Sequence, residues 1–335
     1  MKAYLLAACA ALLLIASCKP GAENIKIVSQ NFTDEIQQQQ NLVFRFNKPI
    51  VPDSLINVWD STAYLNFSPA IRGMYRWSAA DELTFSPMQP FSPATTYKAT
   101  FNDAVLKHND GRWQGTPPSF VFHTPWLKAE SVALTWVRSS AGIPAVRAQV
   151  TFNYEIEKPE VADWFSVMMN NNSVTLDGTP RINGNRFSVL IDVKSGEVQV
   201  NPVPVEILFR KGLRCVNSSF VSIHEMKAEG TLAPPGQFDI THVETGFDAG
   251  QMFIHVSSNQ SVVPATMQEA ISIYPKVNFT VAESGEGFSI TGDFNSIDNY
   301  SLTINQKLKS IFGYSLADNF NYSISFAQPD PYLSF

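Results

Sequence analysis

The sequence predicts an all-β fold built from tandem antiparallel β-sandwich domains. Apolar and polar residues alternate with period two in many short segments, which is typical of strands with one face buried and the other in water. Turn-forming pairs such as Asn183-Gly184 separate these segments, because glycine tolerates the backbone conformation of tight hairpins. Helical periodicity is limited to short turns expected near Asp163 and at 266–269.

Eight segments carry the alternation most clearly. They are residues 42–46, 97–101, 150–154, 187–191, 203–209, 252–256, 300–304 and 322–326. In each segment the apolar set is expected to face a core, so Phe44, Phe152 and Ile254 are predicted to be buried. Trp77 is predicted to fill the core of the first unit.

The strands repeat along the chain in units of about 100 residues. An opening strand followed by a proline recurs at 42–46, 150–154 and 252–256, and a closing strand recurs at 119–123, 219–223 and 321–325. Three copies of one sandwich are therefore predicted. Their predicted bounds are 41–126, 127–232 and 233–335, and the third is expected to continue past the end of this sequence.

The first 17 residues predict a secretory signal helix. Lys2 gives a positive start, and the apolar run from Leu5 to Ile15 is shorter than the ~20 residues that a membrane-spanning helix needs. The polar residues 18–40 that follow are predicted to form a tether. No second apolar run of spanning length follows.

The end of the signal segment carries a more specific motif. Ile15-Ala16-Ser17-Cys18 resembles the bacterial lipobox. That resemblance implies cleavage between Ser17 and Cys18 and acylation of Cys18, which would anchor the protein to a membrane. The alternative is an ordinary signal peptide that happens to contain a cysteine.

Composition and cysteine content exclude several classes of protein. The net charge is −6 with only 24 Lys and Arg residues and no basic run, which disfavours nucleic-acid binding. If Cys9 leaves with the signal and Cys18 carries lipid, Cys215 has no partner for an intramolecular disulfide. Cys215 is interpreted as a small buried apolar residue, with a reactive thiol as the alternative.

Recognisable catalytic motifs are absent from the sequence. The five histidines do not form an H-E-x-x-H zinc site, and no nucleophile elbow or phosphate loop occurs. We therefore predict a protein without enzymatic activity, metal or cofactor. His123 and His255 alternate with the apolar sets and are expected on the surface. The six tryptophans are expected mainly in cores and domain joints, with sugar stacking by exposed rings as the alternative.

The first unit resembles the bacterial Ig-like domain. The residues that carry this resemblance are an F-N-x-P opening at Phe46–Pro49, the central Trp77, and a P-x-T-x-Y signature from Pro93 to Tyr97. The order of units resembles the N-terminal region of α2-macroglobulin-like lipoproteins of the Bacteroidetes type. In the third unit, 271–275 and 300–304 look like parts of macroglobulin domains.

This wider resemblance implies a role in envelope defence. Members of the family trap proteases with a bait region and a thioester on a Cys-x-Glu-Gln motif, whereas here Cys215 is followed by Val216 and Asn217. Only the lipidated Cys18 carries over as a functional position. The resemblance implies an outer-membrane lipoprotein facing the periplasm or cell surface. Its partners would be the membrane, through the lipid, and proteases, through a C-terminal part absent here. The alternative is a free-standing surface lipoprotein that binds glycan or a protein partner.

Overall fold

The computed structural model describes residues 24–109, 111–161, 163–193, 200–248, 250–285 and 287–326. Strands make up 51% of the structure and form several antiparallel sheets, which confirms the predicted all-β class. The predicted signal helix and Cys18 lie outside the described residues. By its contacts the described chain divides into two units: residues 24–126 with Asn217–Phe220, and the remainder.

The first unit is a two-layer sandwich that holds ten strands. They are β1 (Asn24–Ile25), β2 (Ile27–Gln30), β3 (Leu42–Phe46), β4 (Trp59–Asp60), β5 (Leu65–Ser68), β6 (Gly73–Ala79), β7 (Glu82–Pro87), β8 (Thr96–Phe101), β9 (Arg112–Trp113) and β10 (Ser119–His123). The two main sheets have the orders β2-β3-β7-β6-β4 and β10-β8-β5. Short 3₁₀ turns at Asp53–Leu55 and Asp103–His108 connect strands.

Aromatic side chains fill the core between these two sheets. Phe44 and Phe101 meet edge to face with ring centroids 5.0 Å apart, and Phe46 lies 5.5 Å from Trp77. Trp77 is 2% exposed, as predicted for a residue that fills the core. Each buried ring stabilises the fold by roughly 1.5–3 kcal/mol through burial, and such pairs add about 0.5–1.5 kcal/mol.

The first sandwich begins earlier than the sequence pattern indicated. Residues 24–40 were predicted as part of a tether, yet β2 pairs with β3, and Phe32 and Ile36 are 7% and 1% exposed. The prediction was wrong here because the segment is polar overall and its buried side chains are isolated anchors without a clear alternation. An edge strand needs only such anchors, since its other face and edge are in water.

The second sandwich lies within the second unit. Its strands are β11 (Ala129–Arg138), β12 (Pro144–Phe152), β13 (Phe165–Met169), β14 (Asn172–Ser173), β15 (Arg181–Asn183), β16 (Arg186–Asp192), β17 (Val203–Phe209) and β18 (Met226–Leu232). The sheets have the orders β11-β12-β16-β15 and β14-β13-β17-β18. The core contains the ring of Phe209, whose centroid lies 5.1 Å from that of Phe152 and 5.1 Å from that of Phe187.

The closing strand of this second copy is not where the repeat placed it. Residues 219–223 were predicted as the strand, but the sheet is closed by Met226–Leu232. The backbone of Asn217 has φ 58°, and Arg214 bridges Val221, so the earlier segment forms a turn. The true strand was missed because its glycine and charged residues interrupt the apolar alternation.

The third sandwich completes the second unit. Its elements are β19 (Ile240–Asp248), β20 (Gln251–Ser258), α1 (Pro264–Ala270), β21 (Ile271–Tyr274), β22 (Phe279–Ser284), β23 (Gly287–Gly292), β24 (Asn299–Ile304) and β25 (Phe320–Ser325). The sheets have the orders β19-β20-β23-β22 and β21-β24-β25. Helix α1 contains the turn expected at 266–269, whereas the described residues next to Asp163 form no helix.

All three sandwiches share one strand order. If the seven common strands of each copy are lettered A to G along the chain, every copy has one sheet A-B-E-D and a second sheet C-F-G. This is the order of the constant-type immunoglobulin fold. The first and third copies also share a tyrosine corner, because the hydroxyls of Tyr97 and Tyr300 accept bonds from the N–H groups of Ser92 and Asn295 at 2.9 and 3.0 Å.

Main-chain hydrogen bonds join the second and third sandwiches. The N–H of Trp136 donates to the carbonyl of Asn259, and the N–H of Ser261 donates to the carbonyl of Trp136, both at 2.9 Å. Gln260, which is 0% exposed, donates from Nε2 to the carbonyl of Pro235 at 2.8 Å. The joint is therefore a buried, hydrogen-bonded structure.

Candidate functional site

The lipid attachment site predicted from sequence lies outside the described residues. Ser17 and Cys18 have no described position, so cleavage and acylation there stay predictions. In the part of the chain that the structure describes, no helix combines the length and apolar character needed to cross a membrane.

Cys215 is a buried thiol in the second sandwich. It is 0% exposed and bridges Ile156 as an isolated antiparallel pair. Burial, together with the charge of Glu157, raises the pKa of the thiol to about 11. Because the thiolate is the reactive form, this thiol is largely unreactive near neutral pH. The interpretation of Cys215 as a buried apolar residue is confirmed.

His123 is less exposed than the sequence predicted. Its side chain is 19% exposed, and its ring stacks on Trp126 with centroids 4.5 Å apart. Its Nδ1 lies 2.9 Å from the carbonyl oxygen of Thr124 and 3.9 Å from a carboxylate oxygen of Glu35. The surface prediction was wrong because β10 ends at His123, and the chain beyond it covers the ring.

His255 and His242 make ordinary polar contacts. His255 is half-buried rather than exposed, with Nδ1 3.1 Å from the hydroxyl of Ser289 on the neighbouring strand. His242 and Glu244 lie 4.0 Å apart and are 65% and 48% exposed, so they form the solvated pair that was predicted. Among the described residues, no group of three His, Cys, Asp or Glu is arranged to hold a metal ion.

A hydrogen-bonded carboxylate organises the loop after β4. Asp60 accepts bonds from the N–H of Thr62 at 2.8 Å, the hydroxyl of Thr62 at 2.9 Å and the hydroxyl of Tyr64 at 2.8 Å. Partial burial acts to raise the pKa of Asp60, but these bonds outweigh it and hold the pKa below its usual 3.8. Burial, and then the bond to Asp60, raise the pKa of Tyr64.

Most tryptophans are structural, in agreement with the main expectation. Four of the six are at most 8% exposed. The two exposed rings are Trp59, at 48%, and Trp126, at 45%. The guanidinium of Arg76 lies 5.0 Å from the centre of the Trp59 ring. A cation in this position holds an exposed ring in place by about 0.5–1 kcal/mol.

A small cavity of about 170 Å³ lies at one end of the second sandwich. Its lining includes the polar residues Asn170, Asn172, Thr175 and Asp192 together with Leu232. The tip of the hairpin between β13 and β14 shapes it, where Asn170 and Asn171 have φ 51° and 62°. The described lining has amide, hydroxyl and carboxylate groups and no cationic side chain, so it suits water or a small neutral polar molecule.

Comparison with known proteins supports the fold at the N-terminal end. Residues 23–124 match the family model of the bacterial Ig-like domain. The first sandwich is therefore similar to the bacterial Ig-like domain. The range of the match includes the strands at 24–30, in agreement with the structure. No curated protein matches the sequence. The resemblance of the whole chain to α2-macroglobulin-like lipoproteins therefore stays a prediction.

Several solved structures show distant likenesses to this chain. The I9–I11 tandem from titin is 10% identical, with 90% of this chain and 98% of that chain covered and a TM-score of 0.22. L,D-transpeptidase 3 from Mycobacterium tuberculosis is 13% identical, with 45% of this chain and 60% of that chain covered and a TM-score of 0.22. Domains 1–6 of surface layer protein SbsC are 10% identical, with 92% of this chain and 55% of that chain covered and a TM-score of 0.21. The chain thus covers less than two thirds of the transpeptidase.

Proposed function

We propose that this chain is the non-enzymatic, lipid-anchored N-terminal arm of an α2-macroglobulin-like protein of the bacterial cell envelope. The observation that supports the proposal is the lipobox-like motif ending at Cys18, placed ahead of three sandwiches of one strand order. In such a sandwich the inward faces of both sheets are used for packing. The module is therefore suited to act as a spacer, with loops and outer faces left for contacts.

The proposed arm would work through two simple physical effects. Acyl chains on Cys18 would insert into the membrane, and each buried CH₂ would contribute about 0.8 kcal/mol to the free energy of membrane binding. More than one chain is needed for stable anchoring. The hydrogen-bonded joint at Trp136 would keep the second and third sandwiches in a fixed arrangement. In this proposal the arm holds the protease-trapping part at the outer membrane, and proteases bind only to segments C-terminal to residue 335.

A second candidate is a surface lipoprotein that binds glycan or a protein partner by itself. The exposed Trp59, held beside Arg76, favours it, because an aromatic face available to solvent can stack on a sugar ring. This candidate shares the membrane anchor with the first and differs in needing no protease-trapping segment.

The anchor is tested by the intact mass of the protein purified from its native host. We expect a mature chain that starts at Cys18 and carries the mass of added acyl chains, and we expect it in the outer-membrane fraction. Cys18→Ala should abolish both the added mass and the membrane association, whereas Cys215→Ala should change neither. An unmodified mature chain in the soluble fraction would refute the anchor.

The trap role is tested separately on the full-length product of the native gene. After incubation with trypsin, a trap should retain the protease in a complex that survives gel filtration, and it should protect a large protein substrate but not a small chromogenic peptide. Free trypsin with full activity on both substrates would contradict the α2-macroglobulin-like role and would favour the second candidate.

A further inference from the structure

The second sandwich carries a groove around strand β15 whose lining combines cationic, polar and aliphatic side chains. Two depressions, of about 590 and 610 Å³, share Arg181. The first is also lined by Arg147, Gln149 and Ser188, and the second by Lys158. We call the two together the Arg181 groove. All of its lining residues belong to the second unit.

Strand register places the main donors of the groove in one patch. Arg181 pairs directly with Ser188, and Ser188 pairs directly with Gln149, so these three side chains form a row on one face of the sheet. Arg147 lies two residues before Gln149 on β12 and therefore points to the same face in the next row. Directly opposed side chains on a sheet have Cβ atoms about 4.5–5.5 Å apart, which is close enough for one ligand to bridge them.

The cations of the groove keep hydrogen-bond donors available. Arg147 donates from Nη1 to the carbonyl oxygen of Gly285 at 3.2 Å, which fixes the guanidinium. Its other N–H groups are left to donate to a ligand. Within the described chain, Arg181 and Lys158 form no ion pair or hydrogen bond through their side chains. Among the described lining residues, the acidic ones are Asp177 and Glu155. Three cations against two carboxylates leave a local positive excess on a chain whose net charge is −6.

The chemistry of the lining indicates the kind of ligand. Two guanidinium groups match carboxylates, which arginine can hold through paired hydrogen bonds. The hydroxyls and amides of Gln149, Thr179, Ser188 and Asn183 match sugar hydroxyls, which both donate and accept. The described lining has no aromatic ring and only a few aliphatic side chains, such as Ile182 and Leu190, so binding there relies on charge and hydrogen bonds rather than on ring stacking. The two depressions share Arg181 and no other described residue, so only a ligand of several linked units would contact both.

We propose that the Arg181 groove binds an acidic oligosaccharide whose uronic-acid carboxylates contact Arg147 and Arg181. The neighbouring polar side chains hold the ring hydroxyls. This site is separate from the proposed lipid anchor, so a failure of either proposal leaves the other standing.

The test measures binding of defined oligosaccharides to the full mature chain by isothermal titration calorimetry. The probes are a galacturonic acid tetramer, the matched neutral galactose tetramer and a glutamate peptide of similar charge. We expect binding of the acidic tetramer that weakens as salt is raised, and no binding of the neutral one. Equal binding of both tetramers, binding of neither, or tighter binding of the peptide would each overturn the proposal.

Substitutions then locate the site on the structure. Arg181→Gln and Arg147→Gln should each weaken binding of the acidic tetramer roughly tenfold, the effect of losing one charge-assisted contact. Asp177→Asn should strengthen binding, because it removes a like charge from the groove wall. Arg210→Gln, an exposed arginine outside the groove in the same sandwich, is the matched control. Unchanged affinity in Arg181→Gln, or equal loss in Arg210→Gln, would refute the site, and thermal unfolding checks that every variant is folded.

Discussion

Trp136→Phe tests whether the joint between the second and third sandwiches depends on one indole N–H group. Trp136 is 3% exposed, and its Nε1–H donates to the carbonyl of Ala233 at 2.8 Å. Phenylalanine keeps an aromatic ring and leaves the main-chain bonds to Asn259 and Ser261 in place. The substitution therefore removes one hydrogen bond and part of the buried ring, including part of its edge-to-face contact with Phe312.

The expected loss of stability follows from those two changes. A carbonyl that loses its partner costs about 1–3 kcal/mol, and the unfilled space left by the smaller ring costs on the order of 1 kcal/mol more. Ala233 is only half-buried, so water can reach its carbonyl after the change. We therefore expect a loss of about 2–3 kcal/mol in the free energy of unfolding of the second unit.

Urea unfolding of the mature chain, followed by far-ultraviolet circular dichroism, measures this loss. The transition of the second unit should move to lower urea concentration, and the transition of the first unit should stay in place. Trp59→Phe makes the same chemical change at a ring that is 48% exposed and should cost under about 1 kcal/mol. Equal losses in the two variants, or a loss below about 0.5 kcal/mol in Trp136→Phe, would refute the role assigned to the joint.

Three further predictions concern other parts of the chain. Asp60→Asn should destabilise the first sandwich at neutral pH. The folded-state pKa of Asp60 is lowered, so the stability that its carboxylate contributes is present above the usual pKa of 3.8 and is lost as pH falls through the folded-state value. In unfolding measured as a function of pH, the difference in stability between Asp60→Asn and the parent should therefore vanish in acid. Cys215, buried with a pKa raised to about 11, should react with iodoacetamide far more slowly in the native protein than in denaturant, as followed by mass spectrometry. Gly287→Ala should destabilise the third sandwich by more than about 2 kcal/mol in chemical unfolding, because the added methyl group overlaps the Val256 carbonyl, whereas Gly236→Ala has open space and should be nearly neutral.

The central strands could be predicted because an apolar side chain recurs at every second position of their sequence. In segments such as 42–46 and 203–209, buried and exposed residues alternate as the sequence indicated, and both are strands in the structure. A strand in the middle of a sheet must bury one full face, so its composition carries a strong periodic signal. The sequence also indicated three copies, and the structure has three sandwiches of one strand order.

Edge strands and pairing partners could not be predicted in the same way. The strand Ile27–Gln30 buries little and pairs along one side only, and Met226–Leu232 contains a glycine and several polar residues. Their positions depend on which strand they lie beside, and this is decided by contacts distant in sequence. A period-two search cannot detect that information.

The Arg181 groove was missed for the same physical reason. In sequence, Arg147 and Gln149 are ordinary polar members of an alternating strand, and Arg181 stands before a turn. Only the pairing of β15 with β16, and of β16 with β12, brings the three to one face. The sequence could show only that an arginine lies on the solvent side of a predicted strand. Such an arginine is a candidate ligand-binding residue, but the sequence does not show which side chains lie next to it.

The repeated module also constrains where function can lie in this protein. Because each sandwich uses the inward half of its side chains for the core, a binding surface must be built from outward residues or from loops. Outward residues do not fill the core of their own sandwich, so the three copies can differ there without loss of the fold. The structure has such a difference: the outer face of the second sandwich presents the pair Arg147 and Arg181, whereas the outer face of the first has Arg76 beside the exposed ring of Trp59. Copies that keep one strand order and diverge on their outer faces are what we expect if the shared fold provides spacing and each face provides its own recognition.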